Sequence, residues 1–170
     1  MKPKQDTLDS WVDASHAGEW KKQTAADDVD TAKSRTGYVI MFAGCLLIWA
    51  SKLQTEIALS STEAEYIPLS TATREIVYLI DFLKVAKERG VPINIKEAVI
   101  HCKIFEDNSG TIEMAKLPKM RPRTKHINMK YHHFCQQVQT GLLSIHAVST
   151  ENQTADIFTK PLIKTAFKLH

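Results

Sequence analysis

The stretch ALSSTEAEY (58–66) decides how this chain folds, because it combines a helix start signal with two glutamates placed two residues apart. Ser60, followed three residues later by Glu63, forms a capping box in which each side chain bonds the backbone N–H of the other residue. The apolar stripe of the helix, followed backwards to Leu69, reaches Glu65 four residues earlier. Glu63 is therefore predicted to cap the helix. Glu65 is predicted to face the core, where a carboxylate needs a partner or a cation.

The helix that follows Ser60 is the longest element that the sequence predicts. Its apolar period continues to Arg89, and Gly90 then ends it. Pro68 interrupts the pattern, because a proline eight residues past the cap cannot donate a hydrogen bond to the carbonyl of Ala64. We expect a kink or a loosened first turn at that position.

Strands and shorter helices surround the long helix. Runs of β-branched and aromatic residues predict strands, and an apolar period of 3.6 predicts helices. In chain order the predicted elements are a strand at 8–15, a hairpin at 37–51 around Gly44, the long helix, a strand at 98–107, short helices at 108–116 and 126–139, a strand at 141–148, and a helix at 150–160 capped by Thr150. Three strands come first and β/α alternation follows. The sequence thus predicts an α/β fold with a mixed sheet and helices on its faces.

The composition is that of one folded domain. The chain has 170 residues, of which 44% are hydrophobic and 24% charged, so a globular core is expected and wholesale disorder is not. We expect a single domain over 1–170, with its core at about 8–162 and short tails. Three cysteines without a CxxC pair support neither a disulfide framework nor a cysteine zinc site. A signal peptide pattern and a membrane-length apolar run are both missing, so no membrane partner is expected.

Charge is divided unevenly along the chain. Residues 1–115 hold 13 Lys and Arg against 17 Asp and Glu, whereas residues 116–170 hold nine against two. The segment KLPKMRPRTKHINMK (116–130) contains six of these bases and no acid. Such a concentration favours docking on a polyanion such as a nucleic-acid backbone, and a solvated basic face is the alternative.

Four acids occupy comparable places in the predicted fold. Asp13 ends the first strand, Asp107 ends the fourth, Asp156 follows the last, and Glu65 lies at the start of the long helix. Ligand sites of open sheets gather at strand ends, so these carboxylates are predicted to converge. Converged carboxylates repel one another unless divalent cations neutralise them, and oxygen ligands select hard ions such as Mg²⁺ or Mn²⁺. Two such ions about 3.5–4 Å apart are a known device for cleaving phosphodiesters.

Several segments together resemble the ribonuclease H domain of copia-type retrotransposon polyproteins. They occur in that family's order between about residues 9 and 163, and they are WVDASHAG (11–18), SRTGYVIMFAG (34–44), LSSTEAEY (59–66), FEDNSGTIEMAK (105–116), RPRTKHINMKYHHF (121–134) and TADIFTKPL (154–162). The resemblance implies a ribonuclease H-like fold, with a five-stranded mixed β-sheet and helices on both faces. It also implies hydrolysis of the RNA strand of an RNA–DNA hybrid by two Mg²⁺ ions, which Mn²⁺ can replace.

The resemblance also assigns residues and partners. The implied catalytic residues, which are also the implied metal ligands, are Asp13, Glu65, Asp107 and Asp156. The implied nucleic-acid ligands are Asn108, Ser109, Lys116, Lys119, Arg121, Arg123, Lys125 and His126. For His126, help in proton transfer or a phosphate contact competes with an ordinary histidine at a helix terminus. The implied partners are the hybrid and the reverse transcriptase domain of the same polyprotein, in cytoplasmic retrotransposon particles.

Two other functions are compatible with a chain of this kind. An integrase- or resolvase-like nuclease would share the fold class, but the order Asp, Glu, Asp, Asp argues against it. A non-catalytic domain that binds or tethers the hybrid is the other alternative, and the presence of all four acids argues against that. The sequence leaves the oligomeric state open.

Overall fold

Five strands and four α-helices make up the part of the chain that the computed structural model describes, which is residues 6–18, 20, 29–95, 100–116 and 128–167. In chain order they are β1 (Leu8–Ser15), β2 (Arg35–Phe42), β3 (Cys45–Leu53), α1 (Ser61–Glu88), β4 (Cys102–Glu106), α2 (Ser109–Lys116), α3 (Asn128–Gln139), β5 (Leu143–Ala147) and α4 (Lys164–Phe167). Three 3₁₀ segments lie at Val29–Ala32, Thr150–Asn152 and Thr154–Phe158. None of the described helices is long and apolar enough to cross a membrane.

The strands form one mixed sheet in the order β3-β2-β1-β4-β5. β1 pairs antiparallel with β2 and parallel with β4, β2 pairs antiparallel with β3, and β4 pairs parallel with β5. The hairpin between β2 and β3 turns at Ala43 and Gly44, whose φ angles are 54° and 75°. Left-handed backbone of this kind is the usual reason for glycine in a tight turn. The predicted mixed five-stranded sheet is confirmed.

The start of α1 follows the capping pattern with one change. Ser60 Oγ accepts a hydrogen bond from the Glu63 backbone N–H at 3.1 Å, as expected. The Glu63 carboxylate reaches back to the N–H of Leu59 at 2.9 Å, one residue earlier than the capping box predicts. Glu63 thus occupies the helix terminus, whereas Glu65 lies on the buried stripe with only 7% of its surface exposed.

Pro68 does not interrupt the helix, because a side chain replaces the missing donor. α1 runs unbroken from Ser61 to Glu88. Gln54, which directly follows β3, donates from Nε2 to the Ala64 carbonyl at 2.9 Å, and this is the carbonyl that a proline at 68 leaves without its helical partner. The same Nε2 lies 3.2 Å from Thr36 Oγ1 on β2. Gln54 therefore ties the beginning of α1 to the sheet beside Glu65.

The hydrophobic core lies between the sheet and helices α1 to α3. Tyr66 and Leu69 of α1 and Phe134 of α3 are at most 1% exposed, and they pack with strand residues such as Ile40 and Ile104. Full burial of one such side chain contributes about 1.5–3 kcal/mol. This packing fixes α1 across β1 and β2, and so it fixes where the first turns of α1 meet the ends of the strands.

The prediction of one continuous helix at 150–160 is wrong. The chain forms two 3₁₀ segments there, Thr150–Asn152 and Thr154–Phe158, and Thr150 does not cap them with its side chain. Gln153 lies between the two segments with no exposed surface, and its Nε2 donates to the Val12 carbonyl of β1 at 2.9 Å. This long-range bond holds the chain against the sheet, and the backbone forms 3₁₀ turns on either side of Gln153 in place of an α-helix.

The 3₁₀ segment Thr154–Phe158 lies on the face of the sheet opposite α1. Ser51 and Gly37 pair across β3 and β2, and Gly37 in turn pairs with Asp13 of β1, so all three side-chain positions share one face. Ser51 Oγ donates to the Phe158 carbonyl at 2.6 Å. A Cβ atom at Gly37 would lie 2.5 Å from the Thr159 methyl, so glycine makes this approach possible. Helical structure on both faces of the sheet is thereby confirmed, in 3₁₀ form on this second face.

Candidate active site

Three of the four predicted acids meet at one end of the sheet. Asp13 lies near the end of β1, Asp107 directly follows β4, and the two strands are parallel. Glu65 reaches the same place from the second turn of α1. One carboxylate oxygen from each of the three residues lies within 4.8 Å of the others. We call Asp13, Glu65 and Asp107 the three-carboxylate group.

Burial makes negative charge in this group costly. Asp13 and Glu65 are 1% and 7% exposed. Burial is the main reason that the pKa of Asp13 is raised to about 6, while Thr159 and Lys160 partly oppose the rise. Burial also raises the pKa of Glu65 strongly, and the charge of Glu106 adds to the effect. One Glu65 oxygen, Oε2, is buried without a hydrogen-bond partner in the described part of the chain. Among the described residues, no Lys or Arg forms an ion pair with Glu65.

Glu106 is a further acid that the sequence analysis missed. It is the last residue of β4, it is fully buried, and its Oε1 accepts from the Asn108 N–H at 3.0 Å. Burial, opposed in part by that N–H, raises its pKa to about 9. The sequence did contain a pattern that indicates its burial, because side chains alternate between the two faces of a strand. Cys102, Ile104 and Glu106 share one face of β4, and the first two belong to the core.

Asp107 is held in place from the C-terminal part of the chain. Thr150 Oγ1 donates to Asp107 Oδ2 at 2.9 Å, which is the contact that Thr150 makes instead of capping a helix. On its other side, Asn108 Oδ1 accepts from the Thr111 N–H at 3.0 Å and so caps α2. The loop after β4 is therefore fixed on both sides of the carboxylate.

Asp156 lies outside the three-carboxylate group and is linked to it by a lysine. Its Oδ1 lies 2.8 Å from Lys160 Nζ, and the same Nζ lies 3.4 Å from Asp13 Oδ1. Thr159 Oγ1 donates a short hydrogen bond to the other oxygen of Asp13. We call the contacts of Lys160 with Asp13 and Asp156 the lysine bridge. Asp13 thus belongs both to the three-carboxylate group and to the lysine bridge.

A basic cleft opens beside the lysine bridge. It has a volume of about 150 Å³, and Lys33, Arg35 and Lys160 line it together with Ser15 and Thr159. Lys33 also forms an ion pair with Asp30 at 2.7 Å. Lys33 and Arg35 were not among the predicted nucleic-acid ligands, because the sequence around them indicates only a polar loop that leads into a strand.

The predicted nucleic-acid ligands are only partly described by the structure. Asn108 is half-buried, and Ser109 and Lys116 are exposed at the two ends of α2. The other predicted residues, Lys119, Arg121, Arg123, Lys125 and His126, lie outside the described residues.

The donor atoms of the site suit a hard divalent cation. The three-carboxylate group offers only oxygen atoms, and Mg²⁺ and Mn²⁺ prefer such ligands. Glu65 Oε2, which has no hydrogen-bond partner among the described residues, points to the same conclusion, because a buried carboxylate needs a hydrogen-bond donor or a cation. The residues present therefore fit a metal ion.

Sequence comparison relates the chain to transposon polyproteins. No family model matches it. It is 36% identical over 162 residues to the retrovirus-related Pol polyprotein from transposon TNT 1-94 of Nicotiana tabacum, and 35% identical over 162 residues to that from transposon RE1 of Arabidopsis thaliana. Each alignment covers 95% of this chain, and the chain spans only 11% and 10% of the two relatives.

Structure comparison relates the chain to ribonucleases H. LC11-RNase H1 in complex with an RNA/DNA hybrid has a TM-score of 0.57 at 17% identity, with 95% of this chain and 99% of that one covered. RNase H1 from Halobacterium salinarum has a TM-score of 0.54 at 14% identity, with 90% and 94% covered. The comparisons confirm the resemblance to retrotransposon polyproteins and the ribonuclease H-like fold that it implies. The homologues of this chain are Pol polyproteins of plant transposons, and its fold is that of ribonuclease H.

Proposed function

We propose that this homologue of plant-transposon Pol polyproteins is a metal-dependent ribonuclease H that hydrolyses the RNA strand of RNA–DNA hybrids. The observation that carries the proposal is the three-carboxylate group at the carboxyl ends of two parallel strands. Ligand-binding and active sites of open α/β sheets are found at such strand ends. The unpartnered Glu65 oxygen adds a reason for a cation to bind there.

Metal ions enter the proposal through the residues that would hold them. Asp13, Glu65 and Asp107 are the proposed ligands of one ion, and Asp13 and Asp156 those of a second. Bound divalent ions, Mg²⁺ or Mn²⁺, supply a nucleophile at neutral pH and stabilise charge that develops on phosphate oxygens. Thr159 orients Asp13 and Thr150 orients Asp107, so both carboxylates are positioned before a substrate arrives.

The substrate proposal rests on the fold and on positive charge. One structural neighbour carries an RNA/DNA hybrid. In this chain Lys33 and Arg35 line the basic cleft next to Asp13, where a phosphate backbone would be attracted. The basic segment 116–130, most of which lies outside the described residues, would add further phosphate contacts. The 2′-hydroxyl groups of the hybrid distinguish its RNA strand from DNA.

The biological setting follows from the relatives. They are Pol polyproteins about ten times longer than this chain, since the chain spans 10–11% of them. We propose that the domain acts beside the reverse transcriptase domain of one polyprotein, in cytoplasmic retrotransposon particles. Its task there would be to remove the RNA strand of a reverse-transcribed hybrid.

A cleavage assay tests the proposed function. The wild-type chain is incubated with an end-labelled RNA–DNA hybrid, with duplex DNA and with duplex RNA, in Mg²⁺, in Mn²⁺ and in EDTA. We expect the RNA strand of the hybrid to be cut with either metal ion and to remain intact in EDTA. The two duplex controls should remain intact throughout.

Asp107→Asn is the decisive variant, with Asp9→Asn as its matched control. Asp9 lies on β1 four residues before Asp13, outside the three-carboxylate group, and hydrogen-bonds to Thr7 at 2.7 Å. Asp107→Asn should abolish cleavage and Asp9→Asn should not. Hybrid binding without any cleavage by the wild-type chain in either metal ion would instead favour a tethering domain.

A further inference from the structure

The four predicted acids form two sets that share Asp13 but differ in charge. In the three-carboxylate group, no Lys or Arg of the described residues forms an ion pair with Glu65 or Asp107. In the lysine bridge, Lys160 Nζ lies 2.8 Å from Asp156 and 3.4 Å from Asp13. A cation that belongs to the protein therefore already bridges the second pair of carboxylates.

The backbone fixes Lys160 at this position. The Asp156 carbonyl accepts the N–H of Thr159 at 3.1 Å and that of Lys160 at 3.0 Å, so the turn brings the lysine back over the aspartate four residues earlier. Thr159 also donates to Asp13, on the oxygen that Lys160 does not contact. Two successive residues thus occupy both oxygens of one carboxylate.

The sheet below is shaped to accept this turn. Gly37, the β2 partner of Asp13, leaves room for Thr159, because a Cβ atom there would lie 2.5 Å from the Thr159 methyl and 3.1 Å from the Ala155 carbonyl. Ser51 holds the Phe158 carbonyl at 2.6 Å. The lysine bridge is therefore anchored through backbone as well as side-chain contacts.

We propose that Lys160 is a built-in counter-ion that a divalent cation must displace before it can use Asp156 as a ligand. The chain would then bind one divalent ion readily at the three-carboxylate group and a second only weakly. The lysine side chain is 36% exposed, so it can turn towards solvent while the turn itself stays in place. Lys160 would in this way set the metal-ion concentration at which the site is complete.

This inference rests on the proposed function for its biological meaning, but its test needs no nucleic acid. Mg²⁺ and, separately, Mn²⁺ are titrated calorimetrically into the wild-type chain, Lys160→Gln and Lys164→Gln. Lys164 is exposed on α4, so its replacement makes the same charge change away from the carboxylates. Thermal melting in EDTA is measured for the same three proteins.

Lys160→Gln should bind the weaker ion about tenfold more tightly than the wild-type chain, because a like charge that contacts the same carboxylates no longer opposes it. In EDTA the same variant should melt at least about 2 °C lower, since Asp13 and Asp156 lose their counter-ion. Lys164→Gln should match the wild-type chain in both measurements. Lys160→Arg, which keeps the charge, should retain weak binding of the second ion.

The inference would be overturned if the wild-type chain and Lys160→Gln bound the second ion with equal affinity. It would also be overturned if neither protein bound Mg²⁺ or Mn²⁺. If Lys160→Gln does not fold, the ammonium resonance of Lys160 in the wild-type chain gives a second measurement. It should move during the later part of a Mg²⁺ titration, and a resonance that never moves would also overturn the inference. An absence of hybrid cleavage would contradict the proposed function and leave these binding results unaffected.

Discussion

The two sides of the acid site deal with negative charge in opposite ways. On the α1 side, Glu65 and Glu106 are buried, and each has one oxygen without a hydrogen-bond partner in the described part of the chain. On the C-terminal side, Asp156 is also buried, but it forms an ion pair with Lys160 at 2.8 Å. Buried charge without compensation is costly and favours proton or cation uptake, whereas a compensated pair is stable by itself.

The contrast separates two uses of a carboxylate within one fold. On the α1 side, burial keeps the pKa of Glu65 and that of Glu106 above their ordinary values, so these carboxyls favour uptake of a proton or, in the proposed function, of a cation. The C-terminal side fastens the 3₁₀ segment to the sheet through Lys160 and Thr159. Variants that remove one kind of carboxylate and spare the other test whether the contrast is real.

The largest expected effect separates Glu65 from Glu63. Glu65→Gln keeps the shape of a proposed ligand but removes its charge, so hybrid cleavage should fall by orders of magnitude, with partial rescue by extra Mg²⁺ or by Mn²⁺. Glu63→Gln keeps a residue that capping boxes accept, so it should cost no more than about 1 kcal/mol of folding free energy. Cleavage rates and urea unfolding of both variants check this. An inactive Glu63→Gln beside an active Glu65→Gln would show that the roles are reversed.

A smaller effect concerns the pH dependence of stability. The pKa of Glu106 rises from its ordinary 4.5 to about 9, so the folded chain holds this proton more strongly than the unfolded chain does. The stability that follows is complete below about pH 4.5 and is lost as the pH rises through about 9. In metal-free buffer, the free energy of unfolding should therefore decline between about pH 5 and pH 9.

Glu106→Gln should make that decline shallower, because glutamine has no proton to lose, while Asp13 and Glu65, whose pKa values are also raised, still contribute to it. Glu113→Gln is the control, since Glu113 is exposed on α2. The measurement is urea unfolding at several pH values for all three proteins. Parallel pH profiles for Glu106→Gln and the wild-type chain would show that Glu106 does not contribute to the decline.

The smallest expected effect is a coupling between Gln54 and Pro68 in the free energy of unfolding, at the place where α1 is held to the sheet beside Glu65. Gln54 supplies the donor that Pro68 lacks, so Gln54→Ala should cost about 1–3 kcal/mol by leaving the Ala64 carbonyl unsatisfied. In a Pro68→Ala background, residue 68 can donate to that carbonyl itself, and the cost should be smaller by about 0.5–1 kcal/mol. Urea unfolding of the four proteins gives this coupling. Strictly additive costs would show that Gln54 and Pro68 do not compensate for each other.

Local sequence patterns were sufficient for α1 and for most of the strands. The Ser60 capping signal and the apolar stripe gave the helix start and placed Glu65 on the buried side, because both patterns act over a few residues. Strand ends then brought Asp13 and Asp107 together, as the parallel pairing of β1 with β4 requires. Gln54 could not be foreseen, since its bond to Ala64 depends on the packing of β3 against α1.

The C-terminal side could not be predicted in the same way. Its 3₁₀ form depends on Gln153 bonding to Val12, 141 residues earlier in the chain. The four-residue spacing of Asp156 and Lys160 was visible in the sequence, but the contact of Lys160 with Asp13 spans 147 residues. Glu106 was missed for another reason. Its neighbour Asp107 was assigned as the acid at the end of the fourth strand, and one acid was expected there.

The most direct test of the contrast between the two sides is an anomalous difference map from a wild-type crystal grown in limiting Mn²⁺. The two sides share Asp13, so one map compares them under the same conditions. We predict one strong peak among Asp13, Glu65 and Asp107, with Lys160 still in contact with Asp156. Two equal peaks with Lys160 displaced, or no peak at the three-carboxylate group, would contradict the account.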